Sequence, residues 1–119
     1  PTNPAASAMA KIGEANGFAG GDAFVGESYD AAALMMLAMA SAKSSDPQVY
    51  KDHIMKVANG TGEKIYPGEL AKGIKLASYG VAIDYVGASS VTLIGPGEAA
   101  GNFREIQIQN GKMVDVNYR

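Results

Sequence analysis

Four polar side chains in a row, Glu27, Ser28, Tyr29 and Asp30, stand at the entrance to a stretch, residues 31–40, that has no polar residue. Their types suit binding chemistry. Glu27 carries a charge able to hold an amine or guanidinium. Ser28 offers a hydroxyl beside the unpaired N–H groups of a helix start, a setting that suits a carboxylate. Tyr29 offers an aromatic face and a hydroxyl. The same residues also have a structural reading: Ser28 as N-cap, Asp30 in the first turn opposing the helix dipole, Tyr29 as packing.

Other chemistry is sparse. His53, in "YKDHIM", is the single histidine. A hydrolase would pair it with Ser89 or Ser90 of "GASS", but the G-x-S-x-G elbow that exposes a nucleophile is missing. A solvated helix histidine is the better reading. "GEKIYPGELAKG" and "IGPGEAAGN" match no phosphate loop and read as turns. Lys64, Lys72 and Lys75 read as a solvated face, and Met35, Met36 and Met39 as core packing in an apolar helix. The chain has no cysteine, which excludes disulfides and thiolate metal sites. No catalytic residue, metal ligand or cofactor is expected.

The 119 residues make one domain at most. Ten basic and twelve acidic side chains are scattered, for a net charge of −2. A nucleic-acid partner would require clustered Lys and Arg, so none is expected. The chain begins "PTNPAAS", without Met or signal pattern, as a processed protein or a piece of a longer one would. The apolar stretch falls well short of the about 20 residues a membrane-spanning helix needs.

These residues must be positioned by about four helices. The periodicity predicts them over 5–16, 28–43, 47–58 and 67–78. The first turns Ala5, Ala8, Met9 and Ile12 to one face. The second is apolar all round and should be buried on most sides. Asp46 followed by Pro47 is a strong start signal for the third, whose face is Tyr50, Ile54, Val57 and Ala58. The fourth buries Leu70, Ile74 and Ala77, and Gly80 sits where a left-handed cap is needed. Residues 23–25 read as a brief buried strand.

Short β-prone runs follow: "VAIDYV", "SVTLI", "FREIQIQ" and "KMVDVNY". Asn110-Gly111 predicts a type I′ hairpin with Ile108 facing Met113, Gln107 facing Val114 and Ile106 facing Asp115. Neither hairpin face is cleanly apolar, as for strands buried between two bodies or an edge hairpin awaiting a partner. So few strands cannot cover four helices. The shortage points to a fragment, a subunit needing company, or a helical domain with a hairpin attached.

Taken in order, Tyr29-Asp30-Ala31, Gly80, Ile83-Asp84-Tyr85, Gly87-Ala88-Ser89 and Asn110-Gly111-Lys112 resemble the C-terminal part of type I periplasmic solute-binding proteins. The branched-chain amino acid-binding family of ABC importers is the nearest. Ser90 departs from the family's usual glycine, and "LIGPGEAAGN" replaces its usual Phe-Asp-x-x-Gly-Asp turn. The resemblance implies an α/β fold, here the C-terminal fragment of a two-lobed protein. Residues 1–80 would be the mainly helical part of one lobe, and 81–119 the crossing strands and hairpin. It implies a non-enzymatic, periplasmic or otherwise extracytoplasmic role. An amino acid or other small carboxylate would be captured by lobe closure and passed to a membrane permease. Phe24 would be an apolar wall of the cleft, Glu27 a polar rim, Tyr29 a wall or hydroxyl donor, with Ser28 beside them. The remainder of its own protein, or a second copy, would cover the helices. A ligand sensor of the same fold is the alternative; a small serine hydrolase is the remote one.

Overall fold

The computed structural model describes residues 4–119, a mixed α/β arrangement of four helices and three small strand pairs. Helix α1 spans Pro4–Asn16, α2 Val25–Ala42, α3 Pro47–Ala58 and α4 Leu70–Ser78. The strands are β1 Glu63–Ile65, β2 Ile83–Tyr85, β3 Thr92–Gly95, β4 Glu98–Ala100, β5 Arg104–Gln109 and β6 Lys112–Tyr118. β1 and β2 pair in parallel, Glu63 opposite Ile83 and Ile65 opposite Tyr85, with α4 as the crossover between them. A parallel pair needs such a connection because a tight turn cannot reverse the chain twice. β3–β4 and β5–β6 are antiparallel.

Several local signals act as the chemistry requires. Asp46 caps α3 by accepting from the Gln48 N–H at 2.9 Å, with Pro47 in the first turn. Gly80, at φ 76°, closes α4: its N–H reaches the Ala77 carbonyl and that of Val81 the Leu76 carbonyl. These two hydrogen bonds satisfy carbonyls a helix end leaves open. Asn110 and Gly111 both have positive φ, and all three expected cross-strand pairs form.

Other expectations need correction. α2 begins at Val25, so Ser28 lies inside the helix and caps nothing; the N-cap position is Phe24, which makes no side-chain cap bond. Residues 23–25 are turn and helix start, because the chain must close from α1 into α2 within a few residues. Pro67 does not start α4, which begins at Leu70 after a turn through Gly68. β1 and β4 carry no alternation long enough to read as strands.

The core is built on one side of α2. Ala33, Leu34, Leu37 and Ala38 pack with Val57 and Ala58 of α3, Ala77 of α4, and Ile65, Ile83 and Tyr85 of the parallel pair. The opposite side, Ala31, Ala32, Met35 and Met36, is exposed, and so is Ile74 of α4. The uniformly apolar helix is thus buried on one face, since only α3 and α4 flank it closely. Neither it nor any other described helix is long and apolar enough to cross a membrane.

The surface is large for the mass. The chain exposes 7707 Å2 at 12.3 kDa, where a compact monomer would expose about 6,100 Å2. Its radius of gyration is 15.7 Å, against about 13.5 Å for a compact domain of this length. The β5–β6 hairpin accounts for part of this: every residue of both strands is exposed.

One-sided burial of α2 makes two neighbouring substitutions differ sharply. Leu37→Ala removes a side chain with no exposed surface and should cost about 2–5 kcal/mol. Met36→Ala, on the exposed face, should stay within about 0.5 kcal/mol. Thermal melts of the two variants check this, with a fall of about 8 °C or more expected only for Leu37→Ala.

Candidate functional site

The Asp30 carboxylate, 2% exposed and one turn inside α2, is the centre of a buried polar cluster. Its Oδ1 accepts from the Tyr85 hydroxyl at 2.8 Å and the Ala88 N–H at 3.0 Å. Its Oδ2 accepts from the Ser89 N–H at 2.8 Å and the Ser89 hydroxyl at 2.5 Å. A buried carboxylate without a cation is tolerated only when hydrogen bonds replace its water, and here four do. Asp30 is therefore a clamp between α2 and the turn after β2, not a charge placed to oppose the helix dipole.

Gly87 is required by the clamp, because a Cβ there would overlap the Asp30 carboxylate. The turn closes with the Ser90 N–H on the Gly87 carbonyl at 3.0 Å, and Ser90 takes φ 56°. Burial, and then the hydrogen bond to the Asp30 carboxylate, push the Tyr85 hydroxyl well above the ordinary tyrosine value. Ionising it would set two negative charges against each other inside the protein.

The clamp fixes one wall of an open cavity of about 310 Å3. Ala88 and Ser89 form that wall. Asp22, Phe24 and Glu27 come from the α1–α2 loop and the first turn of α2, and Arg104 from the hairpin base. Phe24 is the most exposed large apolar side chain in the molecule among those described and has φ 66°. A bulky aromatic in the left-handed region is strained by about 1–3 kcal/mol, and such strain collects at functional positions. Arg104 Nε lies 3.5 Å from the Asp115 carboxylate. Two carboxylates, one guanidinium, a hydroxyl and an aromatic face therefore border one space.

The four expected residues divide. Phe24 and Glu27 line this cavity. Ser28 is exposed on α2 and outside it. Tyr29 is half-buried and accepts from the Gly68 N–H at 2.9 Å, so its hydroxyl holds the turn before α4. Reading by residue type alone missed Asp22, Asp30, Ser89 and Arg104 as partners of one region, although Gly87-Ala88-Ser89 had been singled out as a motif. His53 lies apart from this turn, with Nδ1 2.9 Å from the Ser41 hydroxyl across the α2–α3 contact. No cluster of metal-ligating side chains occurs among the described residues. Compared with models of protein families, with curated proteins and with solved structures, the chain matches none.

The clamp has two expected consequences. Asp30→Asn turns an NH2 group toward donors and should lower stability by about 3 kcal/mol or more by denaturant titration. The second is alkaline. A tyrosine whose pKa is raised by folding contributes stability that is complete below its unfolded value, about 10, and lost as pH rises beyond it. The native chain should therefore lose up to about 1.4 kcal/mol per pH unit above 10 that Tyr85→Phe does not lose. Paired melts from pH 7 to 11 measure the difference.

Proposed function

We propose that this chain belongs to the substrate-binding component of an ABC importer and binds an amino acid or other small carboxylate. The observation that carries the reading is the composition of the cavity, which the Asp22 and Glu27 carboxylates, the Arg104 guanidinium and the Phe24 ring all line. A zwitterion with an apolar side chain has a counterpart for each of its groups there. The space is at the small end of ligand sites, which range over about 300–1,000 Å3. It is also open, as half of a cleft would be.

Three further features support the reading. The β1–α4–β2 unit, a parallel pair joined through a helix, is of the kind from which the lobes of that fold are built, and the reading takes it as part of a larger parallel sheet. The family resemblance runs through Tyr29-Asp30-Ala31 and Gly87-Ala88-Ser89, which Asp30 bonds to one another. Ser90 stands where that family usually carries glycine, and its φ of 56° is a conformation glycine favours.

In this reading the protein is not an enzyme. It closes a second lobe over the ligand outside the cytoplasm, driven by tighter binding to the closed state, and delivers it to a membrane permease. Glu27 holds the ammonium, Arg104 the carboxylate, and Phe24 the side chain.

Isothermal titration of the complete gene product with amino acids and small carboxylates tests it. One-site binding is expected, weakened tenfold or more by Glu27→Gln, with the 119-residue chain alone binding far more weakly. Absence of binding to every compound, or unchanged affinity in Glu27→Gln, would count against the reading.

A further inference from the structure

β5 pairs with β6 and with no other described strand, so its second edge is open. The two-residue turn makes Gln109 and Lys112 a doubly bonded pair, and bonded and non-bonded pairs alternate from there. At the base, Phe103 and Arg119 exchange both N–H···O bonds, at 2.7 and 2.8 Å, in phase with that alternation. Gln107 therefore directs its backbone groups to β6, while Ile106 and Ile108 direct theirs outward.

Sheet edges are ordinarily guarded by charges or bulges. β6 has both: Lys112 and Asp115 along it, and a register shift that leaves Val116 unmatched. The β5 segment Ile106-Gln107-Ile108-Gln109 has neither charge nor bulge. It is also self-complementary. Two such strands, antiparallel about a two-fold axis at Gln107, set Ile106 opposite Ile108, Gln107 opposite Gln107 and Glu105 opposite Gln109. The outward backbone groups of Ile106 and Ile108 then meet as doubly bonded pairs. The same operation on β6 sets Asp115 against Asp115, or Met113 against Asp115.

We propose that the β5 edge is a homodimer interface, joining two hairpins into a four-stranded antiparallel sheet across a two-fold axis at Gln107. An isolated two-stranded hairpin is marginal in water, and added strands stabilise it. A stable interface of standard size buries about 800 Å2 of each partner, and each chain carries about 1,600 Å2 more surface than a compact monomer of its mass. The contact is isologous, so it closes at two chains and forms no fibre.

The chain has no native cysteine, so one introduced thiol reports the register. Gln107→Cys would face its own symmetry mate in a non-bonded pair, with Cα atoms about 4.5 Å apart, within disulfide reach. Under mild oxidation this variant should become a covalent dimer on a non-reducing gel, while Lys112→Cys stays monomeric. Ile108→Pro removes only an outward N–H and should move the light-scattering mass from two chains to one while keeping the circular dichroism of the fold. Cross-linking of Gln107→Cys no faster than of Lys112→Cys, or a single-chain mass for the unaltered protein at millimolar concentration, overturns the proposal. None of these readings involves ligand, so they stand apart from the binding test.

Discussion

A single buried carboxylate organises this structure. Asp30 has been taken out of water without a cation beside it, a loss of several kcal/mol unless hydrogen bonds make it good. Its four donors come from residues 55 to 59 positions later in the chain. The need to satisfy one side chain of α2 therefore dictates where β2 ends and how the next turn is shaped. Gly87 has no side chain because the carboxylate occupies its place. The Tyr85 ring joins the apolar core while its hydroxyl reaches the clamp, so core and clamp are one unit.

That unit explains why the cavity lies where it does. Ala88 and Ser89 are pinned, and the loop from Asp22 to Glu27 faces them across a short gap. Phe24 is held in a conformation that aromatic residues avoid, with no cap bond to compensate and no core to fill. In the proposed binding role, that strain holds Phe24 as a wall for an apolar group. The same economy is absent at the far end, where the hairpin reaches away from the body and leaves apolar side chains and a strand edge in solvent. The molecule is tightly specified around Asp30 and leaves β5 exposed along one edge.

Parts of this were legible in the residues because the signals are local. Asp46-Pro47, Gly80 and Asn110-Gly111 fix their own backbone, and each acts as its chemistry demands. Periodicity found all four helices, but it could not tell which side of α2 is covered, since Ala, Leu and Met look alike all round it. β1 was hidden because three residues show no alternation and the strand exists through its pairing with β2. Asp30 was read as a helix-dipole charge for the same reason: its partners lie more than fifty residues away, and no local rule reaches that far. Of the four residues expected at a binding site, Glu27 by its type and Phe24 through the family resemblance border the cavity, whereas Ser28 and Tyr29 do not, because the helix starts three residues earlier than its cap signal suggests.

Amide hydrogen exchange at Ala88 and Ser89 tests the clamp most directly. These N–H groups sit in a short turn near the surface and would ordinarily exchange quickly. If Asp30 holds them, both amides exchange only when the whole domain unfolds, as slowly as those of the β1–β2 pair. Exchange at the fast rate of an open surface turn would show that the carboxylate does not hold the turn, and would contradict the account built on it.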